Sequence, residues 1–201
     1  MAVADPGTGS AGIVLAAGAS TRMGAPKPAL EYGSSTLVGA VVSAAGDAGL
    51  DPVIVVTGFD EDAVTRAVGE MAETIENPHP EAGNLSSLLV GLEAVRYVGC
   101  VVVLLADMPQ VDASVIRALA AGMASSGSLG GWVEYADEMG HPVALGRDAF
   151  EDVRTLTGPR SLWGYLSSLS ESDRFVLNVD RPKPADVNTP EDYGGLPGVV
   201  S

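Results

Sequence analysis

Residues 12–30 read GIVLAAGASTRMGAPKPAL, and the change of character inside this stretch decides the fold. Its first six residues, 12–17, are apolar and of strand length. The remainder is a loop of small residues with Gly18 and Gly24, leading to Lys27 between Pro26 and Pro28. A buried strand that empties into such a loop is the opening of an α/β unit. Working outward, further strand-length apolar runs fall at 52–57, 73–76 and 100–106. Helical periodicity separates them. Residues 36–50 place Leu37, Val38, Val41, Val42 and Ala45 on one face, and residues 84–96 do the same with Leu85, Leu88, Leu89, Leu92 and Val95. A third helix starts at Asp112, an N-cap residue type, and carries Val115, Ile116, Leu119, Ala120 and Met123 inward. The expected fold class is α/β, a Rossmann-like three-layer α/β/α arrangement on a mostly parallel mixed sheet.

Beyond residue 125 the alternation breaks down. Residues 125–131 read as a loop, followed by a hairpin whose strands, 131–136 and 142–146, flank 137–140. Short helices at 148–156 and 160–169, a strand at 174–179 and a Pro-rich tail complete the chain. The 125–180 region reads as an insertion covering one sheet edge. The domain reading is a flexible lead over 1–11 and a single domain over 12–195.

Composition narrows the function classes. Eleven Lys and Arg stand against 26 Asp and Glu, a net charge of −15, which disfavours a nucleic-acid partner because phosphate neutralisation needs a basic face. The chain is 46% apolar and only 18% charged, which disfavours disorder. One cysteine, Cys100, excludes an internal disulfide and a cysteine-based zinc site, and it opens an apolar run that suits burial. No apolar stretch approaches the roughly 20 residues that span a bilayer, so no membrane partner is expected. The first ten residues carry neither a basic segment nor an apolar one, and a cytoplasmic location is the default expectation.

In open α/β sheets ligands bind beyond the carboxyl ends of the strands, which directs attention to two loops. The first holds Arg22 and Lys27, and Lys27 is one of only two lysines in the chain, the other being Lys183. Glycine-rich backbone approaches an anion closely, and the flanking prolines bias Lys27 towards an extended conformation. The loop matches neither the Walker pattern nor GxGxxG. The second is residues 104–110, LLADMPQ, where Asp107 follows the apolar run at the sheet edge, suited to hold Mg²⁺ with substrate phosphates as further ligands. A solvated loop with two cations and a turn or cap aspartate are the plain alternatives.

LAAGASTRMGAPK resembles the signature loop of the MobA-like nucleotidyltransferases, and further matches occur in order along the chain. Asn77-Pro78 with Gly83, Ser87 and Gly91 resembles the family's NPxxxxG, Ser, Gly element. Residues 105–109 (LADMP) resemble its metal-site strand end, 140–142 (GHP) its turn, and 186–193 (DVNTPEDY) its closing motif. The resemblance implies nucleotide binding by Leu15, Ala16, Ala17, Gly18, Ser20, Arg22, Gly24, Lys27 and Ser87, with Lys27, Arg22 and Asp107 catalytic. It implies Mg²⁺ held by Asp107 and Asn188, the latter where many relatives carry Asp. His141, Pro142 and Arg160 would line the acceptor side. One departure stands out: where relatives show Gly-Asp-x-Gly-Ala-Arg, residues 156–162 read LTGPRSL, which keeps Arg160 but loses the Asp and a glycine.

The reaction implied is attack of an acceptor phosphate oxygen on the α-phosphorus of a nucleoside triphosphate, with pyrophosphate leaving. LAAG in place of LAGG is the pattern of the cytidine-selecting branch, which implies CTP and a molybdopterin-type acceptor, with transient handover to a molybdoenzyme or its chaperone. A guanylyltransferase, transfer to another phosphorylated or alcohol acceptor, a nicotine-blue-type NAD(P)H oxidoreductase and a non-catalytic nucleotide sensor are the competing readings. On the same comparison His79 is lid or pocket wall, and Glu191 and Asp192 are helix caps.

Overall fold

Of the nine strands among the described residues, seven pair into one sheet, whose central Val- and Ile-rich runs are buried on both faces. A computed structural model describes residues 9–158, 161–197 and 199. In chain order its elements are β1 (Ser10–Leu15), β2 (Glu31–Tyr32), β3 (Ser35–Thr36), α1 (Leu37–Asp47), β4 (Val53–Thr57), α2 (Glu61–Val68), β5 (Glu73–Glu76) and α3 (Asn84–Ala94). Then come β6 (Cys100–Leu105), α4 (Ala113–Ser126), β7 (Gly130–Tyr135), β8 (Met139–Gly146), α5 (Phe150–Arg154), α6 (Ser161–Ser168), β9 (Arg174–Val179) and α7 (Pro190–Gly194).

The main sheet has the order β5-β4-β1-β6-β8-β7-β9, while β2 and β3 form a separate small hairpin. Among the described strands of the main sheet, β8 alone runs antiparallel to its neighbours β6 and β7. Side chains alternate across the sheet. Val14, Val55, Val102 and Val133 face a core shared with α1, α2 and α4. Ile13, Ile54, Val103, Trp132 and Val143 face the other core, with α3, α5 and α6. The result is the expected α/β/α sandwich. The starts of α1 and α4 have a local cause: the Thr36 hydroxyl accepts from Gly39 N at 3.1 Å before α1, and Asp112 accepts from Ser114 N at 2.7 Å before α4. α4 stops where Gly127 turns left-handed (φ 66°).

Three expectations need correction. Ser10 and Ala11, read as the end of the lead, are the first residues of β1, paired with Cys100 and Val101. The 125–180 region is no edge covering. It contributes β8, β7 and β9, three of the seven sheet strands, because Trp132 and Val143 bury towards one core while Val133 and Ala144 bury towards the other. The hairpin turn is also tighter, with β8 beginning at Met139. Among the described residues no helix is long and apolar enough to cross a membrane.

Candidate functional site

The parallel pairing of β1 with β6 sets Leu15 opposite Leu105, and Ala106 N donates to Leu15 O at 3.1 Å. The two loops singled out by sequence therefore leave the sheet side by side. The first loop is shaped by Ser20, which adopts φ 49°, and by Gly24 at φ 68°. The Ser20 hydroxyl accepts from Lys27 N at 2.9 Å and so draws the loop back on itself. Lys27 opens a single 3₁₀ turn over Lys27–Ala29, closed by Leu30 N donating to Lys27 O at 3.1 Å. The extended conformation expected from the flanking prolines does not form there. Pro28 sits in the first turn, where its missing N–H is not needed, and the Ser20 contact selects the turn.

Lys27 Nζ lies 2.6 Å from Asp107 Oδ2 and 3.4 Å from Asn188 Oδ1, and the side chains of Lys27 and Asp107 are only 17% and 22% exposed. Exposed Arg22 donates to the same Asn188 oxygen at 3.3 Å. Asn188 comes from the far end of the chain. Val187 N donates to Asp107 O at 2.9 Å, tying that segment to the end of β6. Asp192 Oδ2 then accepts from the backbone N–H groups of Asn188 and Thr189 at 2.9 and 2.8 Å, in a capping box with Thr189. These bonds, that from Asn188 first, hold the Asp192 carboxyl below the usual carboxylate range. Asp192 caps α7, as expected.

Asp107 Oδ1 is buried and has no hydrogen-bond partner. An orphaned carboxylate oxygen beside an amide oxygen, with an ammonium already drawn between them, is a donor set that fits a hard divalent cation. Asp107 and Asn188 could hold it. Among the described residues no three of His, Cys, Asp and Glu converge, so further ligands would come from a bound phosphate or water.

Leu15–Gly18, Ser20 and Lys27 line a cleft together with Asn84 and Asp107. A second cleft adjoins it, lined by Leu85, Leu88, Leu162, Trp163 and His141. Trp163 meets the His141 ring edge-on, 5.7 Å between centroids, and His141 is joined to Pro142 by a cis peptide bond. Burial pushes the His141 imidazole below its ordinary range. Pro142 is buried within β8 and Arg160 lies outside the described residues.

Ser87 is not brought to the cleft. It is 2% exposed, its hydroxyl accepting from Asn77 Nδ2 at 3.1 Å. Asn77, itself buried, also accepts from His79 N and the Ser86 hydroxyl. Exposed His79 pairs with Glu81 at 3.5 Å. The second lysine, Lys183, lies between Glu138 and Asp186, docking the C-terminal segment on the β7–β8 hairpin. Sequence reasoning missed Asn84, Trp163 and Gly58. A Cβ on Gly58 would come within 2.8 Å of Ala17 and Pro80, so this glycine lets the first loop settle on the end of β4. An unexplained glycine directly after a buried strand was its signal. Asn84 and Trp163 had none, since they reach the site only through packing of α3 and α6.

Fold and cleft define the class, a nucleotidyltransferase on a three-layer α/β/α sheet. Residues 12–174 match the model of the MobA-like NTP transferase domain, and the chain belongs to that family. It is 29% identical over 192 residues to a probable molybdenum cofactor guanylyltransferase of Opitutus terrae, covering 90% of this chain and 92% of that one. The crystal structure of Rv0371c from Mycobacterium tuberculosis superposes with a TM-score of 0.81 at 32% identity, over 94% of this chain and 97% of that one. Another structure of that protein is a complex with manganese, with a TM-score of 0.75 at 30% identity and coverages of 93% and 96%. A Methanothermobacter nucleotidyl transferase, Mth528, gives 0.77 at 26% identity, over 93% and 95%.

Proposed function

We propose that this nucleotidyltransferase moves CMP from CTP to a molybdopterin-type acceptor in the presence of Mg²⁺ and releases pyrophosphate. The observation that carries the reading is the pairing of Lys27 with Asp107 in a cleft lined by residues 15–18, with Asn188 and Arg22 bonded beside them and a second cleft lined by Trp163 and His141 adjoining it. Attack of an acceptor phosphate oxygen on the α-phosphorus forms one P–O bond while the bond to the β-phosphate bridging oxygen breaks. A phosphate monoester is already anionic near pH 7, so no side chain need remove a proton. The chain's work is to seat two mutually repelling anions and to meet the charge that builds on the α-phosphate and the leaving group. Lys27 and Arg22 supply fixed positive charge. A divalent cation held by Asp107 and Asn188 would add Lewis-acid stabilisation of the phosphates.

Ala17, in the wall of the first cleft, supports CTP, whereas the name carried by the Opitutus relative favours GTP as a second reading. Pyrophosphate release with molybdopterin and each of CTP, GTP and ATP, with Mg²⁺ and with chelator, decides between them. We expect release with CTP and Mg²⁺. Release with GTP alone establishes the second reading, and stabilisation by NADPH in place of any triphosphate contradicts both.

A further inference from the structure

The two clefts share two residues, Leu15 and Asn84. Leu15 is a buried aliphatic end of β1, 9% exposed, and has no side-chain hydrogen-bonding group to offer. Asn84 is exposed and is the first residue of α3. Asn84 is thus the residue with a polar side chain that lines both cavities. The turn that carries it is fixed from below. The buried Asn77 side chain grips Ser86 and Ser87 in the same helical turn, Gly83 adopts φ 89° to enter the helix, and Gly83 N donates to Pro80 O at 3.1 Å. A group intended to hold two reactants in register needs such a rigid base.

We propose that Asn84 is the substrate-positioning residue at the seam, its carboxamide contacting the triphosphate on one side and the anionic group of the acceptor on the other. This rests on the two-substrate reaction proposed above. The residue type suits the place. A carboxamide donates through Nδ2 without charge, so it bridges two anions without neutralising the difference between them, while a carboxylate in its place would repel both. The proposal also gives Ser87 a part as support for the Asn84 turn, in place of the nucleotide contact expected from its motif.

Two measurements on wild type, Asn84→Ala, Asn84→Asp and Asn84→Gln test it. In the first, Mg²⁺ with CTP is titrated without acceptor and followed by thermal shift. Asn84→Asp should weaken the apparent Kd about tenfold or more, with the melting temperature of the free chain unchanged because the position is exposed. In the second, pyrophosphate release is followed as molybdopterin is varied. Asn84→Ala should raise the acceptor KM and lower kcat, about tenfold each, and Asn84→Gln should recover part of the loss. Variants that change the constants of one substrate only, or of neither, overturn the shared role. Should wild type bind Mg²⁺ with CTP yet release nothing with molybdopterin, the acceptor named above fails. An unchanged CTP Kd in Asn84→Asp would then still overturn the role of Asn84.

Discussion

Lys27 reaches the cleft because three constraints act on it at once: the bent backbone at Ser20, the bond from its own N–H to the Ser20 hydroxyl, and the ion pair with Asp107. If it stabilises the transition state, Lys27→Ala should lower kcat by about 10²–10³, equivalent to about 3–4 kcal/mol, with little change in melting temperature. A rate within threefold of wild type would contradict that role. Asn188 contributes an oxygen but no charge. Asn188→Asp should therefore tighten Mg²⁺, lowering its half-saturating concentration in the pyrophosphate assay about tenfold, since affinity at such sites rises with ligand charge. An unchanged Mg²⁺ dependence would remove Asn188 from the metal set. Much of this was legible in sequence. Scarce lysine in a glycine-containing loop, and an aspartate ending an apolar run, are local signals that need only the parallel β1–β6 pair to bring them together. The seam at Asn84 was not legible, because its neighbours Trp163 and His141 are 79 and 57 residues away in sequence and meet it by packing alone.

At the scale of elements, the readable strands are uninterrupted apolar runs buried on both faces, and the readable helices are those with an apolar face of regular period. β7 and β8 escaped as sheet members since Gly130, Gly131, Gly140, His141 and Pro142 interrupt their apolar pattern. α2 escaped because Glu61, Asp62 and Arg66 outnumber its two buried valines. The Asp112 cap was legible and makes a quantitative expectation. Its bond from Ser114, and then its pairing with Arg181 at 3.0 Å, lower the Asp112 pKa to about 2 from an ordinary 3.8. A carboxyl lowered in the folded state stabilises fully above its ordinary pKa and loses that contribution as pH falls through the folded value. Acid titration of stability should therefore show an Asp112-dependent fall between about pH 4 and pH 2, absent in Asp112→Ala. At pH 7 that variant should be less stable by about 1 kcal/mol, a fall of about 2–4 °C in melting temperature. A stability profile with the same acid limb in both chains would contradict the assignment.

Over the whole molecule, a net charge of −15 sits poorly with a polyanionic substrate until distance is considered. Charges are screened over about 8 Å at physiological salt, so the groups inside the cleft decide binding. In the cleft Lys27 faces Asp107, exposed Arg22 reaches the neighbouring Asn188 oxygen, and a divalent ion would add positive charge. The sheet order brings this about. β1 and β6 lie at the centre, flanked by β4 on one side and the antiparallel β8 on the other, so loops from both halves and the C-terminal Asn188 gather at one edge. The proposed reaction is tested most directly by pyrophosphate release from the purified chain supplied with Mg²⁺, molybdopterin and each triphosphate in turn. Release is expected with CTP, matched mole for mole by CMP joined to the acceptor, and none when chelator replaces Mg²⁺. No release with any triphosphate, or release that persists undiminished in Lys27→Ala, would contradict that chemistry.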